Sequence, residues 1–236
     1  DATQLAEIKK LNFVKSAQPV SRYKRSEPLV PSGKIFDSRG KQTELSYGAS
    51  FFQLDTVGVI KLHNKGFLGN GIRIGILDSG FDNLGHAAFD SLRISHRWDF
   101  VQKDEDVSGD DHGSRVLSIL AALDPGKMIG ASPHATYMLA RTEISNPPDS
   151  TKDYKIEEDF FVSAVEWADS LGADVIQSSL GYTDFSDGPD YTYADLDGET
   201  AITTIAADIA VEKGIVVVIA AGNEGNKPWY HVVTPA

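Results

Sequence analysis

The chain has 236 residues, no cysteine, and 22 lysines and arginines against 34 aspartates and glutamates, which gives a net charge of −12. This length suits one α/β domain with or without a short appendage, and the lack of cysteine excludes a disulfide scaffold, thiolate metal sites and a cysteine nucleophile. The negative charge argues against a nucleic-acid partner, and no apolar run of about 18 residues is present that would predict a membrane span.

The charge divides the sequence into two parts. Residues 1–45 carry nine Lys or Arg and five Asp or Glu, so a basic segment precedes an acidic body. Its prolines and sparse apolar positions are typical of a flexible tail or linker. We expect residues 1–46 to be an N-terminal extension and residues 47–236 to form the folded domain portion. A remnant of a leader that binds the acidic body by opposite charge is the alternative to a plain tail.

Strands and helices alternate in the predicted order of elements. Apolar runs and helical spacing predict, in order, a strand at 72–77, a helix at 111–123, a strand at 135–141, a helix at 157–171, a strand at 173–176, a helix at 199–213 and a strand at 215–221. The last strand is almost wholly apolar, which predicts burial on both faces. The alternation predicts an α/β fold with a doubly wound, mostly parallel sheet.

Polar residues stand where such a sheet binds ligands, at the carboxyl ends of its strands. Asp78 ends the first strand and Asn223 follows the last, while His112 opens the first helix. A carboxylate that accepts a hydrogen bond from one imidazole nitrogen leaves the other nitrogen free to act as a base. An asparagine amide at a strand end can donate to an oxyanion. Asp78, His112 and Asn223 are therefore candidate catalytic residues.

Each of these residues also has an ordinary structural interpretation. An aspartate at a strand end often caps a turn or a helix, and an asparagine after glycine is a common turn residue. A histidine beside glycine is often a plain loop residue. Taken one at a time, the three positions do not decide between structure and catalysis.

Four segments in order resemble the subtilisin-like serine proteases of the peptidase S8 family. They are residues 71–80 (GIRIGILDSG), 111–116 (DHGSRV), 178–181 (SSLG) and 220–225 (AAGNEG). Residues 157–159 (EED) and 167–176 (WADSLGADVI) resemble the bacterial secreted branch of that family. The resemblance extends over roughly residues 47–236 and implies a secreted endopeptidase that acts on proteins or peptides through an Asp-His-Ser triad.

The resemblance also implies a role for each matching residue. Asp78 would orient His112, His112 would be the general base and later the acid, and Asn223 would help to hold the oxyanion. Ser179, Leu180 and Gly181 would pair with an extended peptide, and Ala221 and Gly222 would border the pocket for its leading side chain.

The sequence departs from the family pattern at two points. Ser114 stands where the family usually has threonine, which keeps a hydroxyl group. No serine follows Asn223, although the family's nucleophile lies well beyond that motif. We expect a chain truncated before the catalytic serine and therefore inactive alone; a pseudoprotease that only binds peptides is the alternative. The resemblance also suggests that residues 11–25 are the tail of the protein's own propeptide.

Two metal hypotheses accompany this interpretation. The acidic stretch 184–199 contains Asp195, Asp197 and Glu199 at a spacing that partly matches a calcium loop, although a solvated acidic loop is the default and no cofactor is required. A metal-dependent phosphoesterase is the rival hydrolase, since Asp78, the 109–112 segment and Asn223 loosely echo its motifs. The histidine expected two residues after the first aspartate is Gly80 here.

Overall fold

The computed structural model of the protein describes residues 6–10, 45–145 and 152–236. Most of the predicted N-terminal extension, including the proposed propeptide tail at 11–25, lies outside these residues. Between Phe51 and Glu212, five helices are described: α1 Phe51–Thr56, α2 Val59–His63, α3 His112–Ala121, α4 Lys155–Ser170 and α5 Ile202–Glu212. None of the helices in the described ranges has both the length and the apolar character needed to cross a bilayer.

The strands form one parallel sheet and one small hairpin. The sheet contains β1 Arg73–Asp78, β2 Arg93–Asp99, β5 Thr136–Arg141, β6 Val175–Ser178 and β7 Val216–Ile219, in the order β2-β5-β1-β6-β7. All four pairings in it are parallel. The hairpin pairs β3 Leu123–Asp124 with β4 Met128–Ile129. The predicted mostly parallel sheet is confirmed.

The strand order reverses at β1. After β1 the chain places β2 and β5 on one side of it, and then β6 and β7 on the other. A crevice forms at such a switch point, outside the carboxyl ends of the strands, because the connections leave in opposite directions. The order of the strands therefore selects the end of β1, where Asp78 lies, as the binding edge.

Helices cover both faces of the sheet because alternate strand residues are apolar on each side. On one face, Phe161 and Ala164 of α4 pack with Leu77. On the opposite face, Leu117 of α3 packs with Ile76. Two layers of helices on one parallel sheet make the doubly wound architecture that the alternation predicted.

The helix predicted at 157–171 begins two residues earlier, at Lys155, because the Glu157 carboxylate accepts the backbone N–H of Tyr154 at 2.6 Å. The helix predicted at 199–213 begins later, at Ile202. The carboxylate of Asp197 holds the N–H groups of Glu199 and Thr200 in a turn ahead of it.

The prediction that the last strand is buried on both faces is wrong. Val216 and Val218 of β7 are 57% and 51% exposed. β7 is the last strand in the order, and the side that carries these two valines is left uncovered among the described residues, while Val217 packs into the core on the other side. A run of valines predicts a strand but does not say which of its two faces another element covers.

Strand β2 was not predicted from the sequence. Only two of its seven residues, Ile94 and Trp98, are apolar, and most of its side chains are exposed. It forms because its backbone extends the parallel ladder of β5, with an irregularity between Ile94 and His96. An edge strand held mainly by backbone hydrogen bonds leaves no apolar period in the sequence.

Candidate active site

The register of the sheet brings the predicted site segments to one edge. Leu77 of β1 pairs with Ser178 of β6, which pairs with Ile219 of β7. Asp78 and Ser179 therefore emerge side by side at the carboxyl edge, and the segment that leads to Asn223 begins beside them. Asn223 itself is exposed in the bend that follows β7.

Asp78 and His112 are in direct contact, although they lie 34 positions apart. Nδ1 of His112 is 2.6 Å from Oδ1 of Asp78. A carboxylate oxygen only accepts, so Nδ1 carries the hydrogen, and Nε2 remains available as a proton acceptor. Asp78 is fully buried, whereas the His112 side chain is 47% exposed. The carboxylate is thus shielded by the protein while the imidazole stays accessible from outside.

Two glycines allow this contact by removing side chains between β1 and α3. A Cβ on Gly113 would lie 2.9 Å from Cβ of Asp78 and even closer to the carbonyl oxygen of Gly80. A Cβ on Gly80 would run into the backbone of Asp110. The start of α3 can therefore sit directly against the end of β1, which is where His112 must be to reach the carboxylate.

The buried environment of Asp78 disfavours the charged form of its carboxyl group. Burial raises the pKa of Asp78, and the hydrogen bond and charge attraction of His112 pull it back only in part. The backbone N–H of Ser79 donates to Oδ1 at 2.8 Å, whereas Oδ2 is buried without a hydrogen-bond partner. A carboxylate hydrogen-bonded in this way fixes the orientation of the adjacent imidazole ring.

The two predicted substrate-binding segments are joined by the C-terminal segment of the chain. Tyr182, next to Gly181, forms an antiparallel bridge with Thr234, its N–H donating to the Thr234 carbonyl at 2.9 Å. The N–H of Val233 donates to the carbonyl of Ala221 at 3.2 Å. Ser179 accepts a hydrogen bond from the Gln177 amide. Gly181 and Ala221 thus lie on either side of one short segment.

Arg141 was missed as a site residue. Its guanidinium pairs with the buried Asp99 at 2.7 Å, and its Nε donates to the carbonyl of Ser79 at 3.2 Å. It also lies beneath Gly109, where a Cβ would come within 2.9 Å of it. Arg141 therefore links the residue after Asp78 to Asp99 and packs against the loop that precedes His112. The sequence signal that could have found it is the charge of Arg141 at the end of the otherwise mostly apolar run 135–141.

A cavity of about 300 Å³ lies elsewhere, between α4 and α5, and none of its lining residues is a predicted site residue. In the acidic stretch, Asp195 and Asp197 accept hydrogen bonds from the Thr192 and Thr200 side chains and from neighbouring backbone N–H groups. Within the described residues, three close metal-ligand groups occur together at Glu143, Asp153 and Glu157, not in that stretch.

The architecture is that of the subtilisin-like α/β fold. The crystal structure of fervidolysin from Fervidobacterium pennivorans, a keratinolytic enzyme related to subtilisin, superposes with a TM-score of 0.60 at 21% identity, over 88% of this chain and 30% of that chain. The structure of MycP3 protease from the type VII (ESX-3) secretion system gives a TM-score of 0.55 at 19% identity, over 85% of this chain and 56% of that chain. At these identities the likeness establishes the fold.

The sequence establishes the family. A model of the subtilase family, peptidase S8, matches residues 69–236. The chain is 32% identical over 168 residues to subtilisin amylosacchariticus of Bacillus subtilis subsp. amylosacchariticus, which covers 70% of this chain and 38% of that protein. It is 32% identical over 182 residues to subtilisin DY of Bacillus licheniformis, over 76% of this chain and 56% of that protein. The chain belongs to the subtilase family of peptidases, and spans 38% of the length of the first of these relatives.

Proposed function

We propose that the protein to which this chain belongs is a secreted serine endopeptidase that hydrolyses peptide bonds in proteins. The observation that carries the proposal is the contact of 2.6 Å between His112 Nδ1 and Asp78 Oδ1, with the carboxylate buried and the imidazole accessible. Membership in the subtilase family supports the peptidase class. The pair is built for proton transfer at Nε2, the nitrogen that faces away from Asp78.

In the proposed mechanism, Nε2 of His112 removes the proton of a serine hydroxyl as that oxygen attacks the substrate carbonyl. Asp78 then stabilises the imidazolium, which later protonates the leaving amine. The side-chain amide of Asn223 donates to the oxyanion of the tetrahedral intermediate. No residue from 224 to 236 is a serine, so we propose that the nucleophile comes from a part of the protein outside these 236 residues.

The test compares substitutions of the two paired residues in the whole protein, with hydrolysis of a denatured protein substrate as the readout. Asp78→Asn keeps the shape of the side chain but favours the wrong imidazole tautomer, so kcat should fall by about 10⁴-fold. His112→Ala should reduce kcat at least as much. His86→Ala is a matched control, because His86 caps a short turn through Ala88 N–H, and should retain activity. Full activity in the Asp78→Asn variant would contradict the mechanism.

We propose peptides and proteins as the substrates and the protein's own N-terminal segment as a partner removed on maturation. The segment's basic composition opposes the acidic body in charge, which favours association. One relative is named a minor extracellular protease, Vpr of Bacillus subtilis, at 26% identity over 97% of this chain and 26% of that protein. N-terminal sequencing of protein from the culture medium tests both points: a start well before about Ser26 contradicts removal, and absence from the medium contradicts secretion.

We propose further that no cofactor takes part in the reaction and that the acidic stretch 184–199 is a solvated loop, not a calcium site. Asp195 and Asp197 each cap a local turn through their carboxylates, as expected of turn-forming residues. An unchanged melting temperature in excess chelator is the expected result. A fall in melting temperature that added calcium restores would establish a metal site instead.

A further inference from the structure

Arg141 stands between two acidic residues at the carboxyl edge of the sheet. In the register of the strands, Arg141 of β5 is paired with Asp78 of β1 on one side and with Asp99 of β2 on the other. Its guanidinium forms an ion pair with the Asp99 carboxylate at 2.7 Å, and both side chains are buried. The charge of Arg141 is therefore balanced by Asp99, and the carboxylate of Asp78 is left to His112.

The Arg141 side chain holds the backbone of Ser79, the residue that follows Asp78. Its Nε donates to the Ser79 carbonyl at 3.2 Å. Its Nη2 donates to Oγ of Ser145 at 3.2 Å, and this hydroxyl donates to the same Ser79 carbonyl at 3.1 Å. The N–H of Ser79 in turn donates at 2.8 Å to Oδ1 of Asp78, the oxygen that also accepts from His112 Nδ1. Fixing the Ser79 backbone therefore fixes one of the two donors that orient this carboxylate oxygen.

Asp99 gives the guanidinium of Arg141 a rigid support. Oδ1 of Asp99 accepts the backbone N–H groups of Val101 and Gln102 at 2.7 and 2.9 Å, while Oδ2 accepts from Arg141 Nη1. A carboxylate whose other oxygen is bonded to the backbone has little freedom to follow a moving partner. The planar guanidinium, which presents its donors at fixed angles, is therefore held in one orientation.

The same guanidinium packs against the loop that leads to His112. Gly109 lies so close to it that a Cβ at this position would come within 2.9 Å of Cζ of Arg141. The Gly109 N–H donates to the Asp82 carboxylate at 2.9 Å, which keeps the loop in this position. Arg141 thus contacts the chain next to both members of the pair, at Ser79 beside Asp78 and at Gly109 ahead of His112.

We propose that Arg141 is a positioning residue of the proposed hydrolysis, and that it acts through Ser79 and Gly109. It keeps the carboxylate of Asp78 and the imidazole of His112 in the geometry that proton transfer at Nε2 requires. This inference rests on the proposed function, which gives the pair its catalytic role. A misplacement of catalytic groups by about 1 Å can slow the chemical step by about 100-fold. Because the contacts of Arg141 are with the segments around the pair, its loss should affect the chemical step and not the binding of substrate.

The experiment compares Arg141→Met and Arg141→Lys with the unmodified whole protein, using a chromogenic peptide that the unmodified protein cleaves. Methionine removes the charge and all the donors, so kcat should fall by about 100-fold while KM changes by less than about twofold. Lysine restores an ion pair with Asp99 but not the planar fork, so it should recover only part of kcat. The downfield proton resonance expected of His112 Nδ1–H should shift or disappear in the methionine variant, which reports on the pair directly.

A second variant keeps the inference testable if Arg141→Met does not fold. That substitution leaves the Asp99 carboxylate buried without its partner, which is strongly destabilising. The double variant Asp99→Asn/Arg141→Met removes the uncompensated charge and should show the same loss of kcat and of the resonance.

The matched control is Arg93→Met, at the start of β2. Arg93 also donates to a backbone carbonyl, that of His134 at 2.9 Å, but at the opposite edge of the same sheet. It should keep kcat and the resonance. If a folded variant without Arg141 keeps the original kcat, or if Arg93→Met loses as much, the positioning role is refuted while the proposed function stands. If the unmodified protein cleaves no peptide and no fluorophosphonate labels it, the proposed function fails and the role of Arg141 fails with it.

Discussion

At the scale of single residues, the close contact between Asp78 and His112 depends on the absence of a side chain at Gly113. Gly113 is the second residue of α3, where alanine would be favoured by helix propensity by about 1 kcal/mol. The position instead faces Asp78, Gly80 and Phe81 at distances that leave no room for a methyl group. Propensity and packing therefore make opposite demands at Gly113, and a substitution can measure which one dominates.

We expect Gly113→Ala to lower the free energy of unfolding by about 1–3 kcal/mol in spite of its better helix propensity, because the new methyl group meets the Gly80 carbonyl and forces α3 away from β1. Urea denaturation measures the change. The same shift should remove the downfield proton resonance expected of the His112 Nδ1–H bonded to Asp78. Gly85→Ala is the control, since nothing lies within 4 Å of its Cβ position. Equal stability of the two variants would refute the packing argument.

At the scale of elements, the start of α4 is fastened to the end of β5 by buried carboxyl groups. Oxygens of Glu143, Asp153 and Glu157 lie within 4.8 Å of one another. Glu143 accepts from the Tyr182 hydroxyl at 2.7 Å, and Glu157 accepts from the Ile144 N–H at 2.7 Å. Three carboxylates cannot all be charged at this separation, so the folded protein favours protons on the cluster.

The pKa values of all three groups move upward. Burial, with added repulsion from Glu157, raises the pKa of Glu143 well above its usual range. Burial also raises the pKa of Glu157. For Asp153, burial and the nearby charges of Glu157, Asp184 and Glu158 raise the pKa to about 7. The folded state therefore retains protons that the unfolded chain releases near pH 4.

This cluster predicts a stability that falls as the pH rises. A carboxyl group whose pKa is higher in the folded state stabilises the protein below its unfolded pKa, and this contribution is lost as the pH rises through the folded pKa, about 7 for Asp153. The free energy of unfolding should therefore fall between pH 5 and pH 8 in the unmodified protein. In the Asp153→Asn variant this fall should be smaller by about 2 kcal/mol. Denaturation at both pH values measures it.

Asp55→Asn, at an exposed position in α1, is the matched control and should keep the pH dependence of the unmodified protein. A parallel pH dependence in all three proteins would show that the cluster does not hold its protons in the folded state.

At the scale of the whole molecule, the proposed active site brings together segments that are far apart in the sequence, and no residue from 224 to 236 is a serine. The serines nearest to the pair are already engaged: Ser79 Oγ donates to Asp78 at 3.3 Å, and Ser114 Oγ donates to the Asp82 carbonyl. Neither hydroxyl is bonded to His112. The contact between Asp78 and His112 therefore does not depend on a serine bonded to His112.

We expect the isolated 236-residue chain to show neither peptide hydrolysis nor labelling by a serine-directed fluorophosphonate, because labelling requires an activated hydroxyl. Intact-mass spectrometry after incubation measures the result. The whole protein is the positive control and should label once per molecule, and its His112→Ala variant should not label. Stoichiometric labelling of the isolated chain would show that one of its own serines is the nucleophile.

The sequence alone determined the alternating elements, the parallel sheet and the identity of Asp78 and His112 as a pair, because apolar periods and short motifs are local properties of the chain. It also predicted a strand at 215–221, but not that β7 is exposed on one side, nor that β2 exists. Those depend on which elements pack against each face of the sheet and on backbone hydrogen bonds, neither of which leaves a period in the side chains.

Only the tertiary structure decided how the pieces meet. The contact of Asp78 with His112 needs Gly113 and Gly80 packed at the end of β1, the link from Arg141 to Asp99 joins residues 42 positions apart, and Val233 reaches Gly181 across 52 positions through its neighbour's bridge to Tyr182. Such contacts are set by the register of the sheet and by the space left between segments. Neither quantity is carried by any single stretch of sequence, which is why the residues of the pair were predictable but the shape of the pocket was not.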